Sequence, residues 1–203
     1  MRRETLQRRS VLFDLDGTLV LANDLHFNAL NEALMEYGSE PISEGDRERY
    51  EGLPSAVKME MLGVPKDLWG SIGSLKREIH MEMVHKTVRP DERLISEIRR
   101  LSEEFFLGVV TNEAAGPAHA LLNRTGLWGF MGLLIHGDFG KKKPDPELYL
   151  KALTTLRYPE NPHCIAVEDN NIGVEAAERA GLRCLRVSGP NDITYERVKE
   201  MFV

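Results

Sequence analysis

Two aspartates, Asp14 and Asp16, stand at the end of the apolar stretch VLFDLDGTLV, residues 11–20, followed at once by Gly17 and Thr18. An apolar run of this length reads as a strand buried on both faces. Like charges so close repel and are costly to desolvate, so the pair calls for a positive partner. Other apolar runs end in polar chemistry too: FFLGVV in Thr111 and Asn112, HCIAVE in Glu168 and Asp169, while Lys141, Lys142 and Lys143 precede PDPE. Three or four gathered carboxylates suit Mg²⁺, a hard cation usually held by one or two carboxylates plus substrate phosphate oxygens. A carboxylate on a rigid strand end can attack phosphorus, and the aspartyl phosphate so formed splits one hard step into two. A second carboxylate two residues on can protonate the leaving oxygen and then deprotonate water. Lys143, the Thr111 hydroxyl and the amides at a helix start would hold the transferring group.

The elements that must bring these residues together are readable from period and punctuation. Residues 24–36 have helical spacing, with Leu25, Leu30 and Leu34 near one face and Asn23 as the cap. Further helical pieces are expected around 54–62 and 72–86, and over 91–102 with Leu94, Ile95, Ile98 and Leu101 on one stripe. From FFLGVV (105–110) strand and helix alternate: a helix over 114–124, the strand GLLIH, a helix from Pro146, HCIAVE, a helix from Asn171 stopped at Gly181, RCLRV, and a last helix. This alternation predicts an α/β fold, a doubly wound, Rossmann-like parallel sheet covered on both faces, with ligands bound beyond the carboxyl ends of its strands. About 90 residues separate the first strand from the second, far more than one crossover needs. The excess predicts an inserted helical lobe over 20–88, hinged near LA and VRP, on a core made of 1–19 and 89–203.

Composition narrows the partners. The 203 residues are 42% hydrophobic and 29% charged, ordinary for a soluble globular chain. No run is apolar enough for a membrane helix. Against 32 acidic residues stand 26 Lys and Arg, a net charge of −6, so no global basic field invites nucleic acid or an anionic membrane. Cys164 and Cys184 fall in predicted strands without metal-ligand spacing and read as buried reduced thiols. The start, MRRETLQRRS, is basic without the apolar segment of a secretory signal, and reads as a solvated tail. A cytoplasmic location is expected.

DLDGT (14–18), TN (111–112), KPDPE (143–147) and VEDNNIGVEAAERAG (167–181) resemble, in order, the four motifs of the haloacid dehalogenase superfamily. The helical insert after the first motif is similar to the cap of its phosphoglycolate phosphatase and β-phosphoglucomutase branch. The resemblance implies that Asp14 is the nucleophile and Asp16 the general acid and base, with its backbone carbonyl on Mg²⁺. It also implies that Thr111 and Asn112 bind the phosphoryl group, that Lys143 neutralises it while steadying Asp14, and that Asp169 and Glu168 are metal ligands, Glu168 directly or through water. Of the three lysines Lys143 is chosen because it directly precedes the proline; Lys141 and Lys142 are expected to be solvated. In the cap, YEGLPSAVK (50–58) resembles the substrate-facing loop, which brings forward His26, Leu53, Ser55, Lys58, Lys76 and His80 as candidates for substrate recognition.

Rival readings divide on particular residues. GDFGKKK is no P-loop, since Ile135 stands five before Gly140 and Lys142 where Ser or Thr should follow the lysine. Within the family, relatives that cleave carbon–halogen or carbon–phosphorus bonds lack the aspartate that Asp16 supplies. A phosphatase or a phosphomutase remains, and Ser55 stands near where mutases of this branch carry an arginine for a second phosphate. A regulatory protein that keeps the fold without turnover is the alternative outside enzymes, although no motif residue is damaged. The expected partner is a small phosphorylated metabolite, and the expected state a monomer or weak homodimer.

Overall fold

The apolar runs named above become strands in the computed structural model, which describes residues 9–50, 53–157 and 163–203. The basic start ahead of Arg9, and Glu51 and Gly52 of the expected substrate loop, lie outside the described residues. Five parallel strands are described: β1 (Ser10–Phe13), β2 (Phe106–Val110), β3 (Leu133–Ile135), β4 (Cys164–Glu168) and β5 (Arg183–Arg186), in the order β3-β2-β1-β4-β5. The chain first builds outward from β1 through β2 to β3, then crosses to β4 on the other side of β1. The direction of winding therefore reverses at β1, and a ligand crevice belongs at its carboxyl end.

Register decides what meets there. Phe13 is level with Val109 on one side and Val167 on the other, so the next residues, Asp14, Val110 and Glu168, form one row across three strands. Alternation along the strands then sorts faces. Leu12, Val110, Cys164 and Ala166 pack in one apolar cluster with Leu148, Tyr149, Ala152 and Leu153 and with Ala176, Ala177 and Ala180. Asp14 and Glu168, two residues beyond Leu12 and Ala166, emerge on that same face.

The helices fall into two groups. Ala22–Val88 is a compact unit of its own, holding α1 (Asn23–Glu36), α2 (Arg47–Tyr50), α3 (Ser55–Met61) and α4 (Trp69–Thr87) around Leu30, Leu34, Ile42, Met59 and Ile72. Its boundary lies two residues beyond the 20 assigned from the sequence. Val20 stays with the sheet unit because its carbonyl accepts from the Gly17 N–H at 2.7 Å. Asn23 is not the cap of α1: Ala22 takes that position with no side-chain bond, and Asn23 is already helical. Leu25 is only half-buried, because the buried stripe runs through Phe27, Leu30 and Leu34 instead.

The sheet unit carries α5 (Glu92–Glu104), α6 (Ala115–Arg124), α7 (Glu147–Leu156), α8 (Asn171–Arg179) and α9 (Tyr195–Glu200). α7 and α8 contribute the helical side of the apolar cluster described above, and α5 packs against β2 and α9. Gly181, at φ +80°, ends α8 as expected, its N–H bonding the Glu178 carbonyl. Among the described residues no helix is long and apolar enough to cross a membrane.

Candidate active site

At the end of β1 the chain turns back on itself. Gly17 takes φ +85°, which a side chain disfavours, and the N–H groups of Leu19 and Val20 both bond the Leu15 carbonyl. Asp14 is thereby held at the strand end, its own N–H bonded to Val167 on β4 at 2.9 Å. Thr18 is carried back into the core, where its hydroxyl lies 3.5 Å from Asp169 Oδ1.

Lys143 sits at the centre of the row. Its ammonium has three N–H groups, and they meet Asp14 Oδ1 at 2.6 Å, the Val110 carbonyl at 2.6 Å and Glu168 Oε1 at 2.7 Å. One side chain thus ties β1, β2 and β4 together. Burial alone would lower the lysine's pKa, but the Asp14 and Glu168 carboxylates outweigh it and hold the ammonium charged. Asn112 positions this lysine: its Oδ1 accepts from the Lys143 N–H at 2.7 Å and its amide donates to the Lys143 carbonyl at 3.2 Å. Lys141 and Lys142 are exposed.

Glu168 is fully buried and receives a second bond on Oε1, from the Tyr149 hydroxyl at 2.5 Å. Burial and the neighbouring carboxylates push the Tyr149 pKa well up, so the phenol remains a donor. The other oxygen, Oε2, is buried with no hydrogen-bond partner among the described residues. Asp169, one residue on, accepts from the Asn170 amide at 2.8 Å, while Asn170 Oδ1 caps α8 by accepting from the Gly173 N–H at 2.9 Å.

The carboxylates outnumber the ammonium. Burial first, and then the Glu168 and Asp16 charges, push the Asp14 pKa well up despite Lys143, and burial likewise raises Glu168. Oxygens of Asp14, Glu168 and Asp169 lie within 4.8 Å of one another, a set that Asp16 does not join through its side chain. A surplus of negative charge, an all-oxygen donor set and an orphaned buried carboxylate oxygen together fit a hard divalent cation.

Of the residues singled out in the sequence, the structure thus gathers Asp14, Lys143, Glu168 and Asp169. Thr111 is buried at the end of β2, its hydroxyl accepting from the Glu113 N–H at 3.0 Å. The Asn112 side chain is committed to the lysine loop. Within the helical unit, His26 on α1 stacks on His80 of α4 with ring centroids 4.0 Å apart, and Lys76 Nζ lies 3.3 Å from the Ser55 hydroxyl at the start of α3. Lys58 and Leu53 are half-buried. Sequence reasoning missed Tyr149 and Thr18. The tyrosine lies on the apolar stripe of α7 with Leu148, Ala152 and Leu153 and reads there as an ordinary core aromatic.

The haloacid dehalogenase-like hydrolase family profile matches residues 11–187. A phosphorylated carbohydrates phosphatase from Thermotoga maritima is 30% identical over 179 residues, which cover 85% of this chain and 82% of the relative. A phosphoglycolate phosphatase from Aquifex aeolicus is 32% identical over 186 residues, covering 86% and 82%. Among solved structures, CbbY from Rhodobacter sphaeroides in complex with phosphate superposes with a TM-score of 0.74 at 26% identity, covering 88% of this chain and 85% of that one. A β-phosphoglucomutase from Clostridium difficile, at 19% identity and a TM-score of 0.77 over 96% and 97% of the two chains, shares the fold.

Proposed function

The chain belongs to the haloacid dehalogenase-like hydrolases and is a phosphoric monoester hydrolase, and on that premise we propose that it hydrolyses a small phosphorylated metabolite, of the sugar phosphate or phosphoglycolate type, with Mg²⁺ and through an aspartyl phosphate on Asp14. The observation that supports this most directly is the row of Asp14, Lys143 and Glu168 at the reversal point of the sheet, with three carboxylate oxygens within 4.8 Å.

Asp14, Glu168 and Asp169, with the Asp16 backbone carbonyl, would hold the cation. It would supply charge neutralisation and polarisation of the phosphoryl oxygens. Lys143 fixes Asp14 Oδ1 through an N–H, which leaves Oδ2 to attack phosphorus. Asp16 protonates the departing alkoxide as the P–O bond breaks. It then takes a proton from water, whose oxygen displaces Asp14 and releases inorganic phosphate. The Thr111 hydroxyl and the Asn112 backbone are the groups at the end of β2 read as binding the phosphoryl oxygens, and the helical unit is read as the cap that selects the substrate. Ser55, in place of an arginine for a second phosphate, supports hydrolysis rather than phosphoryl return. Burial pushes the Cys164 and Cys184 thiols up to about 12, so neither supplies a thiolate nucleophile that would compete with Asp14.

Purified protein assayed against a panel of phosphorylated metabolites, with MgCl₂ and with EDTA, tests the reading. Turnover is expected only with Mg²⁺, and Asp14→Asn is expected to lower it by about 10⁴-fold or more with the circular dichroism spectrum unchanged. Full activity in EDTA, or in the Asp14→Asn protein, contradicts the proposal. Phosphate binding without turnover on any substrate points to the regulatory alternative.

A further inference from the structure

Glu168 is held from three directions, and only one of them belongs to the chemistry described so far. Lys143 Nζ and the Tyr149 hydroxyl, at 2.7 and 2.5 Å, both donate to Oε1. Two donors use up the capacity of that oxygen. Oε2 is thereby the oxygen with spare capacity, buried and without a hydrogen-bond partner among the described residues. On the third side stands Gly173 of α8, where an added Cβ would lie 1.9 Å from Oε2 and 2.2 Å from the carboxyl carbon. Only a glycine leaves room for the carboxylate in this position.

Tyr149 itself is fully buried and lies on the helix that follows the lysine loop, its ring 5.1 Å from the Lys143 ammonium. Its hydroxyl is bonded to Glu168, so it meets the site through that carboxylate and the neighbouring ammonium. From this geometry we infer that Tyr149 is a positioning residue for the cation site: its hydroxyl, with Lys143, locks Glu168 so that one oxygen is spoken for and the other is presented ready for a divalent ion. Partners that orient a ligating carboxylate in this way typically govern metal affinity by a factor of about 10 to 100. The inference rests on the Mg²⁺ reading given above.

The test is Mg²⁺ binding measured by titration calorimetry on substrate-free protein, beside thermal melts in EDTA. Tyr149→Phe keeps the ring and its packing and removes only the donor. It is expected to weaken Mg²⁺ binding about tenfold or more, while kcat at saturating Mg²⁺ changes much less than the Mg²⁺ concentration needed to reach it. In a Glu168→Gln background the same change is expected to have no further effect on affinity. If Tyr149→Phe lowers only the melting temperature in EDTA and leaves the Mg²⁺ affinity as in the parent, the tyrosine is structural and the inference fails. A full-sized loss that persists in the Glu168→Gln background also overturns it, since the effect would not pass through Glu168. Parent protein that binds no Mg²⁺ removes the metal reading, and this inference with it.

Discussion

Asp14 and Glu168 share one ammonium, yet the pKa of each is raised rather than lowered. Burial is the leading cause, and mutual repulsion among the carboxylates adds to it. In the unfolded chain the two groups ionise near their ordinary values of 3.8 and 4.5. Above those values the folded protein keeps protons that the unfolded chain has released, so stability falls as the pH rises. Their contribution is complete below about pH 4 and is lost as the pH climbs through the raised folded values. A divalent cation competes for the same oxygens and reverses the trend. The rise in melting temperature on adding MgCl₂ is therefore expected to grow between pH 5 and pH 8, and an increment independent of pH would contradict the assignment of these ligands. Asp16 has a separate signature. Asp16→Ala is expected to slow sugar phosphates by about 10² to 10⁴-fold, the usual worth of a positioned acid, and an activated aryl phosphate much less. Equal losses for both leaving groups would remove it as the proton donor.

Among the helices of the sheet unit that begin on side-chain caps, α5 and α8 differ in consequence. Asp91 accepts from the N–H groups of Arg93 and Leu94, at 2.9 and 3.1 Å, and starts α5, which buries Leu94, Ile98 and Leu101. Asp91→Ala should cost about 1 kcal/mol of stability, read from the denaturant midpoint, with Mg²⁺ affinity unchanged. Asn170 caps α8 in the same manner but also donates to Asp169. Asn170→Ala should therefore cost a similar stability and weaken Mg²⁺ binding besides. Identical Mg²⁺ affinities for the two variants would show that the Asn170 amide plays no part in seating Asp169. That helix was legible in advance because Gly181 stops it and its apolar positions repeat at helical spacing. The short α2 was not, because four residues carry too little periodicity to be seen.

At the scale of the molecule, the chain divides into the sheet unit, which holds the four motifs, and the unit Ala22–Val88. The reading of the latter as the selector of substrate predicts that His26→Ala or Lys58→Ala changes the ratios of kcat/KM across a panel of phosphorylated substrates by about tenfold or more. Mg²⁺ affinity should stay as it was. Ratios that do not move would take both residues off the recognition surface. The net charge of −6 makes local chemistry the more important here, since an anionic substrate gains nothing from the protein's overall field.

The sheet, its parallel sense and the acidic residues at the strand ends were legible in the amino-acid string, because apolar runs, alternation and glycine stops are local patterns that one segment carries by itself. The cap of α1 was misjudged by one position because Asn23 is competent to cap and competent to be helical, and only the path of the preceding chain chooses. What the lysine does with its three N–H groups, why Asn112 turns to the lysine loop, and which oxygen of Glu168 is left over were decided by tertiary structure alone. Lys143 meets partners 129 and 25 residues away. Those meetings depend on the register of β1 between β2 and β4, which no single segment encodes.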